Sequence, residues 1–167
     1  DNGRSRGLGD VYKRQGLEMK IAILGGTGAL GLGLASRWIR SGHEVLIGSR
    51  TIESAKSACG KLKINEDQGM LNVDAANQAE IACLTVPFSF QLDILSEVKD
   101  VLSGKILIDG TVPLVPPKVM RVQLPEEGCA AIRAQTLLGD SVQVISAFQN
   151  ISACLLYTSP SPRDRPL

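Results

Sequence analysis

The chain has 167 residues, with 18 lysines and arginines against 17 aspartates and glutamates, so its formal net charge is +1 at pH 7. A charge this close to balance argues against nucleic acid or an acidic membrane as a partner. No apolar run approaches the roughly 20 residues of a membrane-spanning helix, so we expect no membrane-embedded segment.

The two ends of the chain differ in character from its middle. Residues 5–15 read SRGLGDVYKRQ, and one back-translation of them has a reverse complement that encodes residues 154–163. Such complementarity has no folding rationale, and the DNA resembles a sequencing adapter. We therefore expect residues 1–18 to be a non-native leader, residues 19–153 to form one domain, and residues 154–167 to be a non-native tail.

From Lys20 onwards, short apolar runs alternate with helical patterns, which is typical of βαβ units. We predict strands at 20–24, 44–48, 70–73, 80–86, 105–109 and 142–147. We predict helices at 28–41, 52–61, 75–79, 89–102 and 126–138. The strands are nearly continuous in apolar residues, as strands covered on both faces are. Right-handed crossovers then give an α/β fold with a Rossmann-type, doubly wound parallel sheet of order 3-2-1-4-5-6.

Two residues and one short segment outside the strands add to this prediction. Trp38 shares a face of the first predicted helix with Leu34, so we interpret it as core packing. Gly42 is predicted to end that helix in the left-handed conformation. The proline-rich residues 112–118 are predicted to form a loop, because proline cannot donate to a strand ladder.

A glycine-rich segment, GGTGALG at residues 25–31, connects the first predicted strand to the first helix. It contains the GxGxxG spacing, in which we assign the tight turn to Gly26, the close approach of backbone to a pyrophosphate to Gly28, and close helix packing to Gly31. The position between strand and helix predicts a dinucleotide site, with phosphates on the helix N-terminus. The candidate cofactor-binding residues here are Gly26, Thr27, Gly28, Ala29, Leu30 and Gly31.

The end of the second predicted strand indicates which dinucleotide binds. Enzymes that use NAD place Asp or Glu there, on the ribose 2′-hydroxyl. This chain instead has Ser49 and Arg50. A hydroxyl and an arginine favour a 2′-phosphate, to which the Thr27 hydroxyl could add. The sequence therefore predicts NADP(H).

Two similar segments follow the fourth and fifth predicted strands. Parallel strands of an open α/β sheet bind ligands at their carboxyl ends, so both segments are expected over the nicotinamide half of the cofactor. Their residues are Thr85, Val86 and Pro87 in the first, and Thr111, Val112 and Pro113 in the second.

The sequence offers no convincing catalytic residue and no metal site. The Tyr-x-x-x-Lys pair of short-chain dehydrogenases is missing, since Tyr12 and Tyr157 lie in the adapter-like ends. Cys59, Cys83 and Cys129 are far apart, so buried reduced cysteines are expected. No signal peptide precedes the methionine at position 19, which fits a cytoplasmic protein. The predicted site orients redox partners, without acid–base chemistry.

Three segments carry a resemblance to a known family: residues 19–50, ACLTVPF, and GKILIDGTVPL. Together they are similar to the NADPH-dependent reductases of coenzyme F420, an 8-hydroxy-5-deazaflavin. The resemblance implies hydride transfer between NADP(H) and this coenzyme as co-substrate. It further implies that Thr27, Ser49 and Arg50 hold the 2′-phosphate and that residues 147–150 lie near the deazaflavin.

The resemblance also implies a longer protein. Family members continue into a C-terminal section that helps to build the deazaflavin pocket and a homodimer, and we expect this chain to lack that section. Two alternatives stay open. The chain could be the NADP-binding domain of an imine or ferric reductase, or a non-catalytic NADP-binding module.

Overall fold

A computed structural model describes residues 18–114, 122, 124–153 and 156 of the chain. The described strands are β1 (Lys20–Leu24), β2 (Glu44–Ser49), β3 (Gly69–Leu71), β4 (Ile81–Leu84), β5 (Ile106–Asp109) and β6 (Gln143–Ser146). They form one sheet of order β3-β2-β1-β4-β5-β6, in which every neighbouring pair is parallel. The predicted fold class and strand order are confirmed.

The described α-helices connect these strands. They are α1 (Ala29–Arg40), α2 (Ile52–Leu62), α3 (Asn72–Gln78), α4 (Gln91–Val98) and α5 (Ala130–Leu138). None of the described helices is long and apolar enough to cross a membrane.

The core has one layer on each face of the sheet, because alternate strand residues point to opposite sides. Ala22 and Leu24 of β1 pack in the layer formed with α3, α4 and α5. Ile23 packs in the opposite layer with α1 and α2, where Leu34 is also buried. β1 is therefore covered on both faces, as its apolar sequence predicts.

Several predicted boundaries were wrong. The third strand, predicted at 70–73, ends at Leu71. The helix predicted at 75–79 begins three residues earlier, at Asn72, as α3. The predicted 80–86 strand ends at Leu84. The helix predicted at 126–138 begins only at Ala130, as α5. Gly128 cannot belong to it, because its φ is +100° and residues of an α-helix have negative φ. The predicted 89–102 helix is α4 with a 3₁₀ turn on each side.

Other local predictions were confirmed. Trp38 is half-buried and packs against the α1 and α2 layer, with its ring edge-on to Phe148 at 6.1 Å. Gly42 follows α1 with a φ of 87°, the left-handed conformation expected of it. Residues 112–114 lie outside the helices and strands, and residues 115–118 of the predicted loop lie outside the described residues.

Candidate functional site

A cavity of about 520 Å³ opens at the carboxyl edge of the sheet. Its volume is in the range of small-molecule sites. It is lined by Gly25, Thr27, Gly28, Ser49, Arg50, Thr51, Ser54, Asn72, Thr85, Val86, Pro87, Phe90 and Ile94. We call this cavity the edge pocket. It lies where β1, β2 and β4 end, which is where open α/β sheets bind ligands.

The tight turn of the glycine-rich segment is at Gly25, not at Gly26 as predicted. Gly25 has a φ of 68°, which disfavours any residue with a Cβ. A Cβ there would also overlap Cγ1 of Val86. Gly26 meets a different constraint, because a Cβ on it would lie 2.8 Å from the Ile23 carbonyl oxygen.

The other two glycines of the motif have separate positions. Gly28 is the N-cap of α1, and a Cβ on it would meet no other protein atom nearer than the Gly25 carbonyl oxygen at 4.0 Å. Gly31 is buried, and its Cβ would lie 2.7 Å from the Gly26 Cα. The helix therefore packs on the turn only because residue 31 is glycine, as the sequence predicts.

The N-terminus of α1 faces the edge pocket through Gly28. No side chain caps this helix, and its first turn has no acidic residue. Unpaired N–H groups at a helix N-terminus carry partial positive charge and favour anions. This end of the edge pocket is suited to phosphate.

The end of β2 brings Ser49 and Arg50 to the same pocket. Ser49 is buried, whereas Arg50 is exposed. Thr51 follows as the N-cap of α2, where its Oγ1 accepts from the Ser54 N–H at 3.4 Å and donates to the Ser54 Oγ at 2.9 Å. Thr51 and Ser54 add two hydroxyls that sequence reasoning missed, although the Ser/Thr-x-x spacing of a helix N-cap could have indicated the first.

Arg50 also contacts an aromatic ring. Its guanidinium carbon lies 5.7 Å from the centroid of Phe90, which is 45% exposed. Phe90 lies on the 3₁₀ turn before α4, so this contact joins the β2 edge of the pocket to the loop after β4. Sequence reasoning missed Phe90, because the contact depends on how far apart β2 and β4 lie in the sheet.

Thr85, Val86 and Pro87 leave β4 and line the edge pocket as predicted. The Thr85 hydroxyl donates to the Leu24 carbonyl oxygen at 3.1 Å, so it ties the ends of β4 and β1 together. Val86 packs over Gly25. The segment thus holds the turn of the glycine-rich segment in place.

The second segment, Thr111, Val112 and Pro113, does not line the edge pocket. Thr111 is 1% exposed and belongs to a buried polar cluster with Gln91 and Asp109. The Gln91 Nε2 donates to Asp109 Oδ2 at 2.8 Å and to Thr111 Oγ1 at 3.1 Å, and Asp109 Oδ1 accepts from the Thr111 N–H at 3.0 Å. Burial raises the pKa of Asp109 above its usual value. Thr111, Val112 and Pro113 were expected to contact the nicotinamide, but none of them lines the edge pocket.

The remaining predicted residues are absent from the lining of the edge pocket. Gly26, Ala29, Leu30 and Gly31 do not line it, and Leu30 packs against the core layer of α1 and α2. In the segment expected near the deazaflavin, Phe148 contacts Trp38 and Gln149 donates to the Asp109 carbonyl oxygen at 2.8 Å.

Three cysteines of the described part of the chain, Cys59, Cys83 and Cys129, are free and lie outside the lining of the edge pocket. Cys59 and Cys83 are buried, as predicted, and burial raises the pKa of Cys83 to about 12, with the nearby Asp109 adding to the effect. Cys129 is only half-buried, contrary to prediction, because it is the N-cap of α5. No group of His, Cys, Asp or Glu among the described residues could hold a metal ion.

The chemistry of the edge pocket follows from its lining. Among the lining side chains, Arg50 alone is ionisable, and the others are hydroxyls, an amide and apolar groups. Such a lining can bind and orient an anionic ligand, and it offers no titratable group near neutral pH for general acid–base work.

The fold and the pocket define a Rossmann-type protein with a cavity at the carboxyl edge of its sheet. Residues 20–113 match the model of the family described as NADP oxidoreductase coenzyme F420-dependent. The chain belongs to this family. It is 46% identical over 156 residues to the F420-dependent NADP reductase of Methanothermobacter marburgensis, covering 87% of this chain and 70% of the relative.

Two further matches are to proteins named for the same activity. The F420-dependent NADP reductase of Methanocaldococcus jannaschii is 38% identical over 157 residues, covering 87% of this chain and 70% of the relative. A crystal structure assigned as an F420-dependent NADP reductase from Arthrobacter sp. FB24 superposes with a TM-score of 0.69 at 24% identity. That match covers 82% of this chain and 65% of the Arthrobacter chain, so this chain spans about two thirds of its length.

A more distant structure shares the fold alone. Prephenate dehydrogenase from A. aeolicus superposes with a TM-score of 0.56 at 17% identity, covering 77% of this chain and 41% of the other.

Proposed function

We propose that the edge pocket binds NADP(H) and that the protein transfers a hydride reversibly between NADP(H) and the deazaflavin coenzyme F420. Family membership and the F420-dependent NADP reductase activity for which the relatives are named support the reaction. The observation that carries the cofactor assignment is Arg50, an exposed cation at the end of β2 in a pocket whose described lining has no carboxylate. At this position a carboxylate would select NAD.

The pyrophosphate fits the start of α1. The uncapped helix N-terminus supplies N–H donors, and the space in front of Gly28 is open where a Cβ would otherwise project. Gly31 lets the helix lie close enough to the turn for these donors to face the pocket. The residues present therefore fit a dinucleotide.

The 2′-phosphate fits the hydroxyl-rich end of β2. Arg50 can donate charge-assisted hydrogen bonds, and Ser49 and Thr27 supply further donors from two sides of the pocket. Thr51 and Ser54 already bond to each other, so their hydroxyls are held in position before any ligand arrives. This arrangement favours NADP(H) over NAD(H).

Val86 and Pro87 are assigned to the nicotinamide side, where NADP(H) supplies or accepts the hydride. Thr85 fixes their backbone through its bond to Leu24, so the segment orients the ring and does not move a proton. The residues lining the pocket contribute alignment, which is the main requirement for transfer between two bound redox partners.

A cytoplasmic location is part of the same proposal. It is supported by three cysteines that are free thiols: Cys59, Cys83 and Cys129. Free cysteines are typical of proteins in a reducing compartment.

A spectrophotometric assay tests the reaction. Oxidised coenzyme F420 is mixed with the protein and NADPH, and loss of deazaflavin absorbance is followed, with NADH as the matched control. The same assay is run on a chimera that joins this chain to the section of the M. marburgensis relative beyond the aligned region, because the match covers 70% of that relative. We expect loss of absorbance with NADPH and little loss with NADH. No change in either protein at saturating NADPH would refute the proposed reaction.

A further inference from the structure

Asn72 joins the third helix to the glycine-rich turn. It is the first residue of α3, its side chain is 0% exposed, and its Oδ1 accepts from the backbone N–H of Gly25 at 3.1 Å. Its Oδ1 also occupies the space that a Cβ on Gly48 would need. The side chain therefore sits between the ends of β1 and β2, beneath the edge pocket that it lines.

The orientation of the Asn72 amide is fixed by its partner. A backbone N–H can only donate, so the atom that faces Gly25 must be the oxygen. The Nδ2 group is then directed elsewhere, and it has no hydrogen-bond partner among the described residues. Buried amide donors nearly always have a partner. An unsatisfied donor at the wall of a ligand pocket points to an acceptor that arrives with the ligand.

We propose that Asn72 is a cofactor-binding residue whose Nδ2 donates to an oxygen of the adenosine ribose or its 2′-phosphate. This inference rests on the proposed binding of NADP(H). Asn72 contacts Gly25, in the segment proposed to hold the pyrophosphate, and Gly48, which directly precedes the Ser49 and Arg50 proposed to hold the 2′-phosphate. The ribose is the part of the dinucleotide that joins those two groups. One amide thereby links the shape of the glycine-rich turn to recognition of the adenosine half.

The test uses Asn72→Asp. The aspartate keeps an oxygen for the Gly25 N–H but replaces the donor by a carboxylate oxygen, which repels phosphate. Asn77→Asp is the matched control, because Asn77 lies on the same helix, is exposed and does not line the pocket. Binding of NADP⁺, of 2′,5′-ADP and of nicotinamide mononucleotide is measured by calorimetry, and folding by thermal melts without ligand.

We expect Asn72→Asp to weaken NADP⁺ and 2′,5′-ADP by about tenfold or more at pH 8, the size of a lost hydrogen bond to a charged group. Nicotinamide mononucleotide should bind to the variant as it does to the wild type. Part of the loss should be recovered at pH 5.5, since a protonated aspartate can donate again. Asn77→Asp should match the wild type. A merely structural role would lower the affinity for all three ligands alike.

The outcomes separate this inference from the function on which it rests. If the wild-type protein fails to bind NADP⁺, the proposed function is wrong. If it binds NADP⁺ and Asn72→Asp binds equally well, or if the loss is the same for all three ligands and does not change with pH, the role of Asn72 is wrong and the proposed function stands.

Discussion

The guanidinium carbon of Arg50 lies 5.7 Å from the centre of the Phe90 ring, and this contact links the two sides of the edge pocket. Arg50 follows β2, whereas Phe90 precedes α4. A cation over an aromatic face is attracted by about 0.5–1 kcal/mol at an exposed site. The ring therefore restricts where the guanidinium can lie before the cofactor binds.

Loss of the Phe90 ring should weaken cofactor binding more than it weakens the fold. Phe90→Ala removes the surface against which Arg50 is held, so we expect a roughly two- to fivefold higher Kd for NADPH, equivalent to the modest cation–π energy. The melting temperature should change little, because Phe90 is 45% exposed.

The control for this prediction is Ile132→Ala, which truncates another exposed apolar side chain, 52% exposed, that does not line the pocket. It should leave NADPH binding unchanged. Equal effects of the two variants on Kd would show that the Arg50–Phe90 contact does not contribute to binding.

Alanine at Gly31 should destabilise the protein, because its Cβ would lie 2.7 Å from the Gly26 Cα and 2.8 Å from the Thr85 Oγ1. Overpacking of this kind typically costs about 1–3 kcal/mol. Urea denaturation should show the loss in the free energy of unfolding, and NADPH affinity should fall as the turn moves.

Gly60→Ala is the matched control, since a Cβ at Gly60 meets no atom within 4 Å and the residue lies inside α2. Alanine favours the helix over glycine by about 1 kcal/mol, so this variant should be as stable as the wild type or more so. If both alanine variants were equally stable, the close packing of α1 on the turn would be refuted.

Ionisation of Asp109 should reduce stability. Burial raises its pKa in the folded protein, so the folded state holds the proton more tightly than the unfolded chain does. The stabilisation is complete below the unfolded pKa and is lost as the pH rises through the raised folded pKa.

The measurement is the free energy of unfolding of the wild type and of Asp109→Asn, which cannot ionise, across the acidic range. The difference, variant minus wild type, should increase as the pH rises above the unfolded value of 3.8. A difference that stays constant with pH, or decreases, would contradict a raised pKa at Asp109.

The sequence was sufficient to predict the strands and the residues next to their carboxyl ends, because these depend on local periodicity. Right-handed crossovers between the strands then gave the sheet order. Ser49, Arg50 and the Thr85 segment were found in this way, and all line the edge pocket. Asn72 and Phe90 were not predicted to line the pocket. Their positions depend on how β2, β3 and β4 are arranged in the sheet, which local sequence does not show. The Thr111 segment has the same Thr-Val-Pro sequence as the Thr85 segment, but it does not line the pocket. Thr111 is buried and hydrogen-bonded to Asp109 instead.

The most direct test of the NADP(H) site compares the Kd values of NADPH and NADH for the wild type and Arg50→Ala, with Lys56→Ala, an exposed α2 cation outside the pocket lining, as control. A charge-assisted contact of about 1.5–3 kcal/mol predicts a roughly ten- to hundredfold preference for NADPH in the wild type. Arg50→Ala should lose most of this preference, and Lys56→Ala should keep it. An unchanged ratio in Arg50→Ala, or a wild type that prefers NADH, would contradict the assignment.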